Sequence, residues 1–404
     1  MKNPFLSRLN TLDFCYPKII NAPGPIKKAI SKTVPMFLGH VAKRNHMIDR
    51  LTVIVTDQCN LKCEHCFIST IERDKKAWEM GVEEYSKFFA SAHGVIAQIH
   101  FTGGEPTVRS DFPEIMIAAA KLGNVSNSSI FTNGVNKRII LSQVEKVLSG
   151  CSMRIGFQVS IDGENETHDE IRKLKGALDK TLVTIEELKK IKIANPKRID
   201  RINVNTAISK SNLHNLKDIV ELVKETGCSH TFCFARDSNI HVFNLPKGES
   251  LTEYNPVDFS AYLSAEEMEG ALEILHEHLW DLDPSDLSHA TNRVTLETTS
   301  KNFKRKYSKV KCCSGYSNLI LTPNGGVAEC EFIKIFTNMR DYKWNFKEML
   351  ESELYVNHMN RNRRCWCTHE CSVGLSIPYH PHLVEDLLYG AGGGREVAEP
   401  SEIV

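Results

Sequence analysis

The chain has 404 residues, 41% of them hydrophobic, which is long enough for one large domain plus a smaller one and too apolar for a disordered polypeptide. Fifty Lys/Arg balance fifty Asp/Glu, excluding the overall basic footprint with which a nucleic-acid binder neutralises phosphates. There is neither an 18-residue apolar run nor a short apolar core with a small-residue cleavage site, so no membrane span and no secretory signal are predicted, and the expected location is the cytoplasm.

Residues 1–50 form a basic N-terminal extension, with nine Lys/Arg against two acids. Ile26, Ile30, Val34, Phe37, Leu38 and Val41 fall on one helical face among lysines, and Pro35 is expected to interrupt that helix. From about residue 51 to 236, short β-branched runs alternate with segments of helical period, the pattern of βα units around a parallel sheet. Six strands are predicted: Leu51 to Thr56, Ile99 to Thr102, Ser129 to Phe131, Ile155 to Ile161, Ile202 to Ala207 and Thr231 to Phe234. Helices are predicted near 82–92, 112–122, 137–148, 177–191 and 213–226, with Asp111 and Ser211 as N-terminal caps of two of them. Six such units make an α/β fold of partial (β/α)6, TIM-like type, whose chemistry collects at the C-terminal ends of the strands. Residues 237–311 read as a connector containing a helical run, Ala265 to Trp280, and then a basic stretch; 312–380 form a small cysteine-rich domain; 381–404 are a tail expected to be flexible from Gly390 onward.

Thirteen cysteines in a cytoplasmic chain read as metal ligands before disulfides, since thiols stay reduced there. Three lie between Cys59 and Cys66 and six between Cys312 and Cys371, while Cys15, Cys151, Cys228 and Cys233 are scattered and read as small buried apolar residues. The run Cys59-Asn-Leu-Lys-Cys63-Glu-His-Cys66 follows the first strand. Three thiolates can hold three irons of a 4Fe-4S cluster and leave the fourth open, whereas a closed zinc site needs a fourth ligand, and His65 lies awkwardly inside the run. The second strand ends in Thr102-Gly103-Gly104-Glu105-Pro106, where glycines permit close backbone approach and a carboxylate can receive an ammonium group.

With both motifs at successive strand ends, the sequence resembles the radical S-adenosylmethionine (SAM) superfamily over roughly residues 50–236. The resemblance implies that Cys59, Cys63 and Cys66 ligate the cluster, that SAM chelates the open iron, and that Gly103, Gly104 and Glu105 contact the SAM amino group. His65 occupies the slot beside adenine, with Phe67 next to it. Phe131-Thr132-Asn133-Gly134, Ser160-Ile161-Asp162-Gly163 and His168-Asp169-Glu170-Ile171-Arg172 follow later strands; Ser160 and Asp162 are implied near SAM, and Asn205 and Arg236 are further candidate contacts. For each of these singly, a turn-forming or surface role is about as strong a reading. The implied mechanism is reductive cleavage of SAM to a 5'-deoxyadenosyl radical that abstracts hydrogen from a substrate.

The C-terminal cysteines resemble SPASM and twitch extensions of the same superfamily: twelve residues separate Cys312 from Gly325, four separate Gly325 from Cys330, and Cys365, Cys367 and Cys371 follow. A hairpin around Asn324-Gly325 is expected to bring Cys312 and Cys330 together. Six cysteines cannot fully ligate two clusters, so one auxiliary 4Fe-4S cluster is expected on Cys312, Cys330, Cys371 and either Cys365 or Cys367. The structural alternative is a zinc ribbon, and of another functional class altogether a zinc-binding structural protein.

The expected function is that of a radical SAM oxidoreductase acting on an unidentified sugar or glycan, lipid or peptide, with the auxiliary cluster aiding oxidation or substrate binding. The alternative is a peptide maturase forming a thioether or carbon–carbon crosslink; relatives of that kind commonly carry a leader-binding domain, and the residues before the first strand are fewer than such a domain needs. Flavodoxin or ferredoxin is the expected electron donor. The N-terminal helix either packs on the barrel or touches an anionic membrane, and packing is the more common fate of an amphipathic helix. Glu329, Glu331 and Asp237 are carboxylates expected near the mouth, and no base is assigned among them.

Overall fold

A computed structural model describes residues 16, 19–45, 48–66, 79–235, 263–280, 286–331, 335–359 and 367–389, without the side chains of 37–45. Its centre is a sheet of nine strands in the order β6-β5-β4-β3-β2-β1-β7-β8-β9. Strands β1 (Ile48–Ile54), β2 (Ile96–Thr102), β3 (Asn127–Thr132), β4 (Arg154–Ser160), β5 (Ile199–Ile208) and β6 (Ser229–Phe234) run parallel, each paired with the next. These are the six predicted strands, each extended by one to three residues at its N-terminal end. Helices α2 (Val82–Ser91), α3 (Phe112–Lys121), α4 (Lys137–Gly150), α6 (Ala177–Ala194) and α7 (Leu216–Thr226) cross between them, and the short α5 (Glu166–Arg172) follows β4. The architecture is the expected TIM-like partial barrel, with a cysteine-rich module appended.

Strand alternation divides the sheet into two faces. Leu51, Val53, Ile99, Phe101, Ile130, Ile155, Phe157, Val159, Ile202 and Val204 are buried under the helices in one continuous core with Tyr85, Phe88, Phe112 and Val144. At roughly 25 cal/mol per Å2, burial of this apolar face is the main force holding helices to sheet. The opposite face carries Thr52, Gln98, His100, Phe131, Gln158, Ser160, Asn205, Thr231 and Cys233, all half-buried, together with the half-buried Arg50 of β1, so the inner wall is polar. Its amides bond to one another: Asn203 donates to Gln158 at 2.5 Å and to Thr231 at 2.6 Å.

The two flanks of the six-stranded unit are closed differently. Beside β1 lies β7 (Asn318–Leu321), parallel to it and hydrogen-bonded from Arg50↔Asn318 to Val53↔Leu321; β8 (Gly326–Ala328) and β9 (Thr337–Asn338) continue antiparallel. The turn between β7 and β8 is the expected hairpin: Gly325 has φ +85°, and Asn324 Oδ1 accepts from Thr322 Oγ1 at 2.7 Å and from the Gly326 N–H at 3.3 Å. Beside β6, side chains stand in for a strand. Helix α9 (Leu287–Arg305) lies in the stretch read as a basic connector, and its polar residues Arg293, Thr295, Thr298, Thr299, Ser300 and Asn302 are buried. It follows α8 (Ala265–Leu275), which ends in a π-helical turn over His276–Trp280, and the short α10 (Phe346–Glu351) and α11 (Glu353–Met359) come after β9.

Local expectations are corrected at several positions. Helix α1 (Gly24–Asn45) runs through Pro35 without interruption; the cost of a lost backbone hydrogen bond, about 3 kcal/mol, is met by packing of α1 on α13 (Pro381–Tyr389), where Tyr16, Ala290, Val384 and Leu388 form a core with Ile19, Ile20 and Ile30. The packing partner is thus the start of the segment 381–404 read as a flexible tail: 381–389 is a packed helix, and residues from Gly390 on lie outside the described residues. Asp111 stands at the N-cap of α3 with no capping bond, because Arg109 takes its carboxylate through Nε at 2.9 Å and Nη2 at 2.8 Å. Ser211 donates to Glu64 instead of capping α7. Of the scattered cysteines, Cys151, Cys228 and Cys233 are half-buried, not fully buried, and Cys15 lies outside the described residues.

Candidate active site

The loop after β1 carries Cys59, Cys63 and Cys66, and its root is fixed before the first thiol. Thr56 Oγ1 donates to Glu79 at 2.5 Å and accepts from the Gln58 N–H at 3.0 Å, while Arg109 binds the Val55 and Met80 carbonyls at 2.8 and 2.9 Å. Against this root lies the double glycine that ends β2. The N–H groups of Gly104 and Glu105 donate to the carbonyls of Thr56 and Gln58, each at 2.8 Å. A Cβ on Gly103 would stand 2.4 Å from the Thr56 oxygen and one on Gly104 would stand 2.2 Å from the Gln58 oxygen, which is why neither position tolerates a side chain.

Glu105, 2% exposed, turns inward. Its carboxylate accepts from the Thr107 N–H at 3.2 Å and hydroxyl at 2.7 Å, from Thr132 Oγ1 at 3.0 Å and from the Asn133 N–H at 2.7 Å. Burial pushes this carboxyl up, against the pull of those four donors. The geometry makes Glu105 the tie between the ends of β2 and β3, and it thereby places Asn133, whose Nδ2 reaches Asn60 Oδ1 at 2.9 Å and Cys59 Sγ at 3.9 Å.

Cys59 Sγ also accepts from the Leu61 N–H at 3.4 Å, and Cys63 Sγ accepts from Arg172 Nη1 at 3.6 Å. Burial raises the Cys59 thiol to about 11 and the Cys63 thiol as well, with the Arg172 guanidinium opposing the latter. Without a metal both are protonated at neutral pH, so cluster assembly must expel protons. Behind the loop, Asp162 is fully buried and ion-paired with Arg172; its Oδ1 accepts from the Ala207 N–H at 2.9 Å, and its Oδ2 lies 3.6 Å from His65 Nε2. Burial works to raise the Asp162 carboxyl, but Arg172, His65, His168 and that N–H together hold it below the usual carboxylate range. His65 is held neutral chiefly by burial.

The thiols accept N–H donors from a backbone group and from Asn133 and Arg172, as cluster thiolates do. Among the described residues no three His, Cys, Asp or Glu side chains converge on a point for one ion. Three thiols with N–H donors beside them suit a 4Fe-4S cluster held through three of its irons, whereas a closed zinc site takes four ligands. The structure also brings Ser160, Asp162 and Asn205 to neighbouring strand ends, with Ser160 paired to Asn205 across β4 and β5. Phe67 and Arg236 lie outside the described residues.

In the C-terminal module, the Ser314 N–H donates to Cys312 Sγ at 3.4 Å, Ser314 Oγ meets Ser372 Oγ at 2.9 Å, and Ser372 Oγ lies 4.0 Å from Cys330 Sγ. His369, 1% exposed, bonds Ser372 through Nδ1 at 2.6 Å, lies 3.8 Å from Cys330 Sγ, and gives its N–H to Cys367 Sγ at 3.4 Å. Cys312, Cys330 and Cys367 therefore surround one serine–histidine network. Cys371 sits on the next helix, α12 (Glu370–Ser376), and Cys365 lies outside the described residues. Cys313 accepts from Ser317 Oγ at 2.9 Å and Ser376 Oγ at 3.2 Å, and burial raises its thiol to about 12. Glu329 pairs with His358 at 3.2 Å and Glu331 with His369 at 3.1 Å, while Asp237 is outside the described residues.

Thr107 is not anticipated from sequence, while Arg172, Asn133 and Thr132 stand in named motifs without individual roles. Arg172 and Asn133 sit in motifs already conspicuous at strand ends, yet their reach to the thiols depends on how α5 and β3 pack.

A family model described as "Radical SAM superfamily" matches residues 53–223. The sporulation killing factor maturation protein SkfB of Bacillus subtilis (strain 168) is 26% identical over 285 residues, 69% of this chain and 59% of that protein, so the chain spans less than two thirds of it. GTP 3',8-cyclase of Clostridium botulinum is 26% identical over 317 residues, 76% of this chain and 89% of that one. Among solved structures, Streptococcus suis SuiB bound to S-adenosylmethionine superposes with a TM-score of 0.53 at 16% identity, covering 80% of this chain and 71% of SuiB. Native anSMEcpe with bound AdoMet and Cp18Cys peptide gives 0.52 at 17%, covering 76% and 81%. At such identities these two structures speak to the fold alone.

Proposed function

We propose that the chain, whose residues 53–223 match the family described as "Radical SAM superfamily", is a radical SAM oxidoreductase with Cys59, Cys63 and Cys66 as ligands of a SAM-binding 4Fe-4S cluster and an auxiliary cluster in the C-terminal module. The observation that carries this reading is the loop after β1, with thiols that accept from Leu61, Asn133 and Arg172 beside a double glycine pressed on its root. When bound, the cluster supplies the electron that cleaves SAM to methionine and a 5'-deoxyadenosyl radical. The chain's own residues do the rest. Glu105 and Asn133 hold the loop to β3, His65 and Asp162 close the side toward β4, and the polar inner wall, with the guanidinium of Arg50 at β1, receives the substrate with hydrogen bonds. Gly103, Gly104, Ser160, Asn205, Phe67 and Arg236 complete the proposed SAM surroundings. Cys312, Cys330 and Cys367, with Cys371 or Cys365, are the proposed auxiliary ligands.

A peptide substrate is the second reading. PqqA peptide cyclase is named for a peptide, SkfB for maturation of the sporulation killing factor, and SuiB has been solved with precursor peptide SuiA. Gln98, Gln158, Asn203 and Asn205 on the inner wall offer amide donors and acceptors suited to peptide groups. The enzyme is proposed to work in the cytoplasm with a flavodoxin or ferredoxin as donor. No helix among the described residues is long and apolar enough to cross a membrane; peripheral contact with an anionic bilayer would go through the side of α1 where Ile26 and Met36 are exposed among lysines.

The test is anaerobic reconstitution followed by reaction with SAM and dithionite, quantifying 5'-deoxyadenosine and methionine. Equal amounts of both, lost in Cys63→Ala, are expected. Colourless protein that binds zinc and forms no deoxyadenosine would overturn the reading.

A further inference from the structure

Arg172 is the last residue of α5, 8% exposed, with its guanidinium between a buried carboxylate and a cysteine sulfur. Its position is over-determined. Lys173 ends the helix in the left-handed region at φ +55°, and the Ile171 carbonyl accepts the Glu64 N–H at 2.9 Å, stitching the helix end to the loop between Cys63 and Cys66. Asp162 is anchored in turn, its N–H on His168 Nδ1 at 3.0 Å and its backbone carbonyl on Asn212 Nδ2 at 2.8 Å. The side chain therefore approaches Cys63 Sγ in one orientation, without the freedom of a surface arginine.

We propose that Arg172 sets the reduction potential of the cluster held by Cys59, Cys63 and Cys66, through its N–H bond to the Cys63 sulfur and its fixed positive charge, with Asp162 as the counter-charge that limits the effect. This rests on the reading of those cysteines as cluster ligands. Reduction adds one electron, from a low-potential donor such as dithionite, and neither makes nor breaks a bond. A donor and a cation held at the sulfur favour the more negative state, because hydrogen bonds to sulfur and local net charge both act on cluster potential, and a buried charge is poorly screened. Asp162 opposes this from the far side of the guanidinium.

The experiment poises reconstituted enzyme without SAM at a series of potentials and reads the reduced cluster by electron paramagnetic resonance, alongside iron and sulfide content. Arg172→Gln is expected to lower the reduced-to-oxidised ratio at the wild-type midpoint by about tenfold, a shift of about 59 mV for one electron. Arg172→Lys should shift less in the same direction, and Asp162→Asn should shift the opposite way. A purely structural role predicts a common direction for Arg172→Gln and Asp162→Asn. That result, or an unchanged midpoint in Arg172→Gln at full iron content, would overturn the proposal. If Arg172→Gln fails to hold iron, opposite shifts in Arg172→Lys and Asp162→Asn support the proposal, and a common shift or none overturns it. Full iron retention in Cys63→Ala would instead remove the ligand reading beneath it.

Discussion

The carboxamide of Asn292 pairs with both main-chain groups of Phe232, accepting its N–H at 3.0 Å and donating to its carbonyl at 2.8 Å. One side chain on α9 thus does for β6 what a neighbouring strand would do, and Glu370 on α12 continues the pairing by accepting the Phe234 N–H at 3.0 Å. Open edges of this kind otherwise recruit other chains. Asn292→Ala leaves two backbone groups of Phe232 without partners and is expected to destabilise the protein by about 3 kcal/mol. Denaturant unfolding and amide exchange at Phe232 measure this; a change under about 0.5 kcal/mol with intact protection would show that the edge is satisfied in some other way.

Gly104 and Gly81 make a paired comparison. A methyl on Gly104 meets the Gln58 carbonyl, whereas one on Gly81 meets nothing within 4 Å. Gly104→Ala should displace the root of the cysteine loop and reduce iron incorporation severalfold, and Gly81→Ala should leave it unchanged. Iron and sulfide analysis after reconstitution reads both.

The C-terminal cysteines are expected to divide sharply. Cys330→Ala should remove about one cluster's worth of iron, while Cys313→Ala, whose sulfur is bonded to two serines, should keep the full complement. Comparable iron loss in both variants would contradict the proposed ligand set.

Stability should fall with acid through His168. Burial first, with Arg172 adding, lowers its pKa to about 4, against the opposing pull of Asp162 and Asp169; His65 also faces it. The unfolded chain, titrating near 6.5, binds the proton that the folded chain refuses. Stability from this group is therefore complete above about pH 6.5 and lost progressively toward pH 4, about 3 kcal/mol in all. Between pH 7.5 and 5.5 wild type should lose about 1 kcal/mol more than His168→Asn. Equal pH slopes in denaturant unfolding would disprove the assignment.

The barrel strands and the cysteine loop were legible because each is written locally, as β-branched runs with a motif at the end. Features set by distant partners were not. Nothing near Asn318 announces that it will lie beside Arg50. The polar run from Arg293 to Asn302 reads as solvated, yet Arg293 Nη2 reaches the Asp386 carbonyl at 2.9 Å and Asn302 the Cys367 carbonyl at 2.8 Å. Asp111 and Ser211 have the chemistry of caps, and Arg109 and Glu64 outcompete the helix for them. Arg172 stood in a visible motif, but its meeting with Cys63 required the fold.

The pairing of β1 with β7 bears on how the chain is made. A ribosome delivers β1 early and β7 only after the whole six-stranded unit has emerged, and domains ordinarily fold as they appear. The nascent barrel must therefore wait with the flank of β1 bare from Arg50 to Val53, at the strand from which the cysteine loop hangs. Synthesis of the last ninety or so residues completes the active-site edge as well as adding a module, so any cluster inserted during translation enters a site still missing one wall.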